Sequence, residues 1–65
     1  MIREKLKELG FHIDKPNADY EFTVFCHGNG ILSLSRTFRD GPWRANYSKI
    51  MSDQQIIDYC KRYCK

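Results

Sequence analysis

The sequence contains no apolar run long enough to cross a membrane, and it has only three cysteines, two prolines and one tryptophan. A transmembrane helix needs about 20 consecutive, mostly apolar residues, so no membrane partner is expected. The first five residues, Met1-Ile2-Arg3-Glu4-Lys5, also lack the apolar segment of a signal peptide. Because three cysteines cannot all pair within one chain, we expect reduced thiols and a cytoplasmic location.

Motifs for catalysis are missing as well. The chain has no nucleophile elbow, phosphate-binding loop or helical metal-binding motif, and its only imidazoles are His12 and His27. Gly28-Asn29-Gly30 is too short and too turn-like to hold a phosphate. A chain of 65 residues leaves little room for a pocket that excludes water. We therefore predict that the protein is not an enzyme and needs no cofactor.

Aromatic residues are the largest apolar groups that the chain contains. They make up 14% of the sequence, and the hydrophobic fraction as a whole is 42%. Each aromatic side chain can bury about 150–250 Å², which matters in a small domain because much of its surface stays exposed. The composition predicts a single domain that spans residues 1–65.

Two short helices are predicted, one at each end of the chain. Residues 2–9 carry apolar side chains at helical spacing, and Gly10 then suits the left-handed conformation that ends many helices. Residues 11–14 are predicted as a brief strand or an extended link. The second helix is predicted to begin after Ser52, because Ser52 and Gln55 have the spacing of a capping box.

Between the helices the apolar pattern changes to a period of two, which is typical of strands. Residues 20–27 and 31–39 alternate in this way, and Gly28-Asn29-Gly30 between them favours a hairpin turn. Residues 43–47 continue the alternation after a second turn at residues 40–42. The predicted fold is therefore α+β, in the order α-β-β-(β)-α, with a two- or three-stranded antiparallel meander.

Positive charge and aromatic residues coincide in the second half of the predicted sheet. Residues 30–50 carry four basic side chains and one acidic side chain, whereas residues 1–29 carry four basic and five acidic ones. Two helices can cover one face of the sheet and leave the other face open to a partner. The predicted partner-binding residues are Arg36, Phe38, Arg39, Trp43, Arg44, Tyr47 and Lys49.

Our leading hypothesis is a small, non-enzymatic accessory or regulatory protein that binds a protein partner, or a second copy of itself, through this open face. Trp, Tyr and Arg are the residue types enriched at binding hot spots. A chain this small cannot bury all its apolar side chains, so part of the second strand is expected to remain exposed.

The same segment also supports an alternative, a nucleic-acid-binding module. Arginine binds phosphate in a bidentate manner, and exposed aromatic rings stack on bases. The element order resembles that of double-stranded RNA-binding domains, although their Lys-rich start to the second helix is replaced here by Ser52-Asp53-Gln54-Gln55. In this alternative the phosphates contact Arg36, Arg39, Arg44 and Lys49, with Lys61 and Arg62 in support.

The cysteines leave open a third interpretation, a small zinc-binding domain. Cys60 and Cys64 are four residues apart on one helix, and with Cys26 and His27 they could close a tetrahedral site. In a regular strand, however, Cys26 and His27 point to opposite faces. We therefore assign no metal ligand, and interpret Cys26 and Cys60 as small core residues and Cys64 as incidental.

Overall fold

The structure, a computed structural model, describes residues 2–15, 17–46 and 49–64. Within these ranges two helices and five strands follow one another in the order α1-β1-β2-β3-β4-β5-α2. Their bounds are α1 Ile2–Glu8, β1 His12–Ile13, β2 Glu21–Cys26, β3 Asn29–Ser35, β4 Trp43–Ala45, β5 Lys49–Met51 and α2 Asp53–Tyr63. The predicted α+β class is confirmed, but the strand count is wrong, because the antiparallel sheet has five strands rather than two or three.

Gly10 ends α1 as the sequence predicts. Its φ of +98° is one that residues with a Cβ rarely adopt. The Gly10 amide donates to the Lys7 carbonyl at 3.0 Å and the Phe11 amide donates to the Leu6 carbonyl at 3.0 Å. This pair of bonds is a Schellman motif, and it directs Phe11 back onto the core.

The central hairpin of β2 and β3 turns one residue earlier than predicted. Cys26 pairs with Asn29, so His27 and Gly28 form a two-residue loop, with φ of +52° and +83°. Positive φ at both loop positions is the requirement of the type I′ turn, whose twist matches that of a hairpin. Asn29 and Gly30, which we expected in the turn, belong to β3 instead.

A β-bulge lets β3 bury Leu32 and Leu34 and partly bury Ile31. Phe25 pairs with Gly30 while Val24 pairs with Leu32, so Ile31 is the extra residue between them. Leu32 is therefore on the covered face, and Ile31 still packs partly against the core.

The outermost strands account for the error in strand count. The sheet order follows the chain order, β1 to β5, which places the two-residue β1 and the three-residue β5 at the edges. β1 was one of the two alternatives for residues 11–14, whereas β5 was not predicted. Strands this short have almost no periodicity of their own, and they form here because each pairs with a longer or better buried neighbour.

The start of α2 confirms the predicted capping box. The Ser52 side chain accepts a hydrogen bond from the Gln55 amide at 3.2 Å, and the Gln55 side chain accepts one from the Ser52 amide at 2.8 Å. Two amides that the helix itself cannot satisfy are thereby paired.

One face of the sheet packs with both helices around a single core. The opposite face, called the open face below, includes Thr23 and Ser33, whose hydroxyls are 3.5 Å apart, and the exposed Arg44. No helix in the described part of the chain is long and apolar enough to span a membrane. The core residues are Ile2, Leu6, Ile13, Phe22, Val24, Leu32, Leu34, Trp43, Ala45, Ile56, Ile57 and Cys60.

Candidate binding surface around Phe38

Trp43 lies in the core and not on the open face. Its side chain is only 5% exposed, and its ring meets the Phe22 ring edge-to-face with the centroids 4.8 Å apart. The sequence pattern shows that Trp43 and Ala45 share a face, but it does not show which face the helices cover. The prediction that Trp43 offers its ring to a partner is therefore wrong. The Trp43 side chain instead supports the core.

Arg36 covers the outer side of this indole. The Arg36 guanidinium carbon lies 4.1 Å from the centroid of the Trp43 ring, a cation–π contact. The Arg36 Nε also donates to the Asp19 carbonyl at 2.6 Å, and the Arg36 amide donates to the Tyr20 carbonyl at 2.9 Å. Arg36 is thus held by contacts to three residues and ties the end of β3 to the segment before β2.

Phe38 follows in the loop of residues 36–42, where it is 70% exposed. The loop has a turn of its own, because the Gly41 amide donates to the Phe38 carbonyl at 2.9 Å. A Cβ on Gly41 would lie only 3.2 Å from the Phe38 Cβ, so glycine lets the two ends of this turn approach each other. The most exposed large apolar side chain of the described residues therefore stands on a braced loop.

Arg39 makes a second contact between the loop and Asp19. Its Nε lies 3.4 Å from the Asp19 carboxylate; the Arg39 side chain is largely exposed and the Asp19 side chain is 41% exposed. An exposed ion pair of this kind contributes little stability, at most about 1 kcal/mol. Its effect is to orient Arg39 beside Phe38. Tyr20, next to Asp19 in the chain, is 52% exposed and adds a second aromatic ring to this end of the molecule.

An open cleft of about 330 Å³ lies beside the loop. Three arginines and two carboxylates line it, so its charge is mixed. Arg3 donates to the Ala18 carbonyl, and Arg36 and Arg39 are engaged as described above. The charged residues of the cleft are Arg3, Arg36, Arg39, Asp40 and Asp53.

The remaining predicted contact residues are not brought together. Arg44 pairs with Ile50 on the open face, whereas Lys49 pairs with Ala45 and so belongs to the covered side of an edge strand. Phe38 and Arg39 lie in a loop and not in a strand. Tyr47 is outside the described residues. The open face therefore lacks the predicted concentration of aromatic and arginine side chains among the residues that the structure describes.

We call the group at the loop the Phe38 surface, which comprises Tyr20, Arg36, Phe38 and Arg39. Sequence reasoning found three of these residues and missed Tyr20. It also missed Asp19, which joins the loop through both its carbonyl and its carboxylate. No local signal identifies Asp19, since its role depends on contacts 17 or more residues away along the chain.

A second cluster lies at the other end of the β2–β3 hairpin, beside its turn. Cys26 and Cys64 are joined by a disulfide, with their Cα atoms 5.7 Å apart. Our interpretation of Cys64 as incidental is therefore wrong, and so is the expectation that all three thiols are reduced, since two of them are bonded in this structure. His27 belongs to the same cluster, because its positive φ breaks the alternation that would otherwise direct Cys26 and His27 to opposite faces.

Cys60 is separate from this cluster and is fully buried in the core. Burial raises the pKa of the Cys60 thiol from 9.0 to about 11, because the charged thiolate is poorly solvated there. The four-ligand zinc site that the sequence left open is therefore reduced to three grouped residues among those described.

We expect the Cys60 thiol to be unreactive in the folded protein at pH 8. With a pKa of about 11, only roughly one thiol in a thousand is ionised, compared with about one in ten at the ordinary value, and the thiolate is the nucleophile. An aromatic disulfide reagent should label Cys60 only after denaturant is added. A Cys60→Ala variant, which should show no labelling in either state, is the control. Rapid labelling of the native protein would contradict the burial of this thiol.

Comparison of the chain with models of protein families, with curated proteins and with solved structures found no match.

Proposed function

We propose that this chain is a non-enzymatic accessory or regulatory protein that binds a protein partner stoichiometrically through the Phe38 surface. The observation that carries the proposal is the 70% exposure of Phe38 on a loop held by three neighbouring contacts. Folding does not explain an exposed aromatic ring, since it contributes nothing to the core. A partner with an apolar pocket would bury it.

The bracing of the loop supports binding because it lowers the entropy lost on association. Immobilising a flexible side chain or loop at an interface costs about 0.5–1.5 kcal/mol for each rotamer-rich side chain. Arg36 is already held between the Trp43 ring and the Asp19 carbonyl, and Arg39 is oriented by the Asp19 carboxylate. Phe38 is then the central anchor, and Arg39 and Tyr20 form the polar and aromatic rim.

The charge distribution favours a protein over a nucleic acid. The arginines of the cleft are already engaged with carbonyls, a ring or a carboxylate, and Asp40 and Asp53 face the same cleft. Those carboxylates would repel a phosphate backbone. The other two basic residues of the alternative, Arg44 and Lys49, lie on different sides of the sheet.

We also propose the cytoplasm as the location of the protein. In that compartment glutathione and thioredoxin keep thiols reduced, so the Cys26–Cys64 pair would exist there as two thiols. The Phe38 surface lies at the other end of the β2–β3 hairpin from this pair, and its contacts do not include either cysteine.

Phe38→Ala is expected to weaken partner binding by about 30-fold or more, since a central aromatic anchor is typically worth at least about 2 kcal/mol. Tagged wild-type protein is first used to isolate the partner from cells that express the chain, and the purified pair is then titrated calorimetrically. Leu9→Ala is the matched control, because Leu9 is also an exposed apolar side chain, 47% exposed, and directly follows α1.

Two results would contradict the proposal. One is an affinity of Phe38→Ala equal to that of wild type and of Leu9→Ala. The other is tight binding of DNA or RNA oligomers at low salt that weakens steeply as salt is raised, which is the signature of phosphate contacts. A purified complex that contains only this chain would identify the partner as a second copy.

A further inference from the structure

We infer that, in the reduced protein, Cys26, His27 and Cys64 form a binding site for Zn²⁺ that the disulfide between the two cysteines closes. The cluster combines two thiols with an imidazole, and the potential ligand atoms all lie within 4.8 Å of one another. The inference concerns a different part of the molecule from the Phe38 surface and does not depend on the proposed function.

The fold brings these residues together from two distant segments. Cys26 is the last residue of β2, and His27 is the first loop residue of the type I′ turn. Cys64 directly follows α2, and its amide donates to the Cys60 carbonyl at 3.0 Å, which fixes its position at the helix end. In the sequence, the pairing of Cys26 with His27 counted against a zinc site, because a regular strand would direct the two side chains to opposite faces. The turn at His27 removes that objection.

The spacing of the ligand atoms suits a tetrahedral metal after a small adjustment. With Zn–S of about 2.3 Å and Zn–N of about 2.0 Å, tetrahedral geometry places the sulfurs about 3.8 Å apart and each sulfur about 3.5 Å from the nitrogen. Both distances fall within the 4.8 Å that encloses the cluster. Once the S–S bond is broken, rotation about the side-chain torsions of Cys26 and of the half-exposed Cys64 separates the sulfurs.

Reduction must precede metal binding, because a disulfide offers no thiolate. Two molecules of a low-molecular-weight thiol supply the two electrons: the Cys26–Cys64 bond breaks, a disulfide forms between the two small thiols, and their protons pass to the two cysteine sulfurs. Zinc then binds the thiolates and releases those two protons. The charges of Zn²⁺ and two thiolates cancel, so the site remains neutral when His27 is neutral.

The donor set selects the kind of metal. Thiolates and imidazole are the preferred ligands of Zn²⁺, whereas Ca²⁺ and Mg²⁺ require oxygen ligands. Among the described residues the cluster supplies three protein ligands, which leaves the fourth tetrahedral position for water. Leu9, Gly10, Phe11 and Lys61 complete an open cleft of about 340 Å³ beside the cluster, and this cleft can hold that fourth ligand.

Titration of the fully reduced protein with Zn²⁺, in competition with a chromophoric chelator, tests the site. We expect one zinc per reduced chain and none in the oxidised chain. Co²⁺ in place of zinc should give thiolate-to-metal charge-transfer absorption and the intense d–d bands of tetrahedral cobalt. Circular dichroism with and without zinc reports whether the reduced chain is folded.

His27→Gly isolates the imidazole ligand, because glycine adopts the positive φ of this position without strain. We expect this variant to bind zinc at least about tenfold more weakly, since even the loss of a group that merely supports a metal ligand costs that much. His12→Asn is the matched control, as His12 is the other, exposed histidine and is not in the cluster. Cys64→Ser should abolish the cobalt charge-transfer spectrum of a two-thiolate site.

Three results would overturn the inference: no zinc binding by the reduced wild type, equal affinity in His27→Gly and His12→Asn, or a two-thiolate cobalt spectrum that persists in Cys64→Ser. If the reduced chain is unfolded without metal, zinc must restore its native circular dichroism. If zinc does not restore it, the inference is also overturned, and the Cys26–Cys64 pair acts only as a structural disulfide.

Discussion

Replacing Trp43 with alanine is expected to lower the free energy of unfolding by about 3–5 kcal/mol, the range for aromatic-to-alanine changes in protein cores. The indole is 5% exposed and packs edge-to-face on Phe22. Its removal opens a cavity and also deprives Arg36 of its cation–π contact. For a chain of 65 residues, the whole stability is roughly 3–10 kcal/mol, so this substitution should remove a large fraction of it.

Urea denaturation followed by far-ultraviolet circular dichroism measures this effect. Phe38→Ala is the matched control, because Phe38 is also aromatic and is only five residues away, yet 70% exposed. We expect the control to stay within about 0.5 kcal/mol of wild type, as is usual for surface positions. Similar destabilisation in both variants, or a Trp43→Ala variant as stable as wild type, would contradict the assignment of Trp43 to the core and of Phe38 to the surface.

Reducing the Cys26–Cys64 disulfide should have the second largest effect on stability. The bridge joins residues 38 apart, and the chain-entropy relation for a loop of that length gives about 4 kcal/mol at 25 °C. Urea denaturation of the oxidised protein, of the protein in a phosphine reductant and of Cys64→Ser compares the three forms. The last two should agree with each other and lie below the first by about 2–4 kcal/mol.

The measurement also separates the disulfide from other effects of the reductant. Cys60 is the remaining thiol, and its burial in the core keeps it from exchanging with the bridge while the protein is folded. If reduction leaves the denaturation midpoint unchanged, the two cysteines are not bonded in solution. If zinc added to the reduced protein recovers part of the loss, the metal stabilises the same cross-link between β2 and the end of α2.

Local sequence rules predicted those features whose causes are local. The Ser52–Gln55 capping box and the left-handed Gly10 depend on residues within one turn of a helix, and both are present. That Phe22 and Val24 share one face of β2 follows from alternation along a single strand. The α+β class follows in turn from these elements and their order.

Features that depend on distant contacts could not be predicted in the same way. β5 has only three residues, and its pairing with β4 gives it a structure that its own composition does not specify. Alternation grouped Trp43 with Ala45, but the choice of the covered face depends on the helices. The Cys26–Cys64 bond joins residues 38 positions apart, and no spacing rule for three cysteines selects this pair.

The structure places the predicted contact residues elsewhere than the sequence pattern did. Arg36, Phe38 and Arg39 do lie close to one another, but in a loop at one end of the sheet and not on its open face. The reason is that the alternation of residues 31–39 ends at Ser35, where β3 ends and Arg36 turns to cover Trp43. Residues beyond that point no longer follow the pattern of a strand.

Site-specific photo-crosslinking in cells that express the chain tests the proposed binding surface most directly. A photoreactive phenylalanine analogue is placed at position 38 in one variant and at position 9 in another, since both side chains are exposed. We predict a discrete protein adduct from position 38 that is absent from position 9 and survives nuclease treatment. No adduct from position 38, or the same adducts from both positions, would contradict the account.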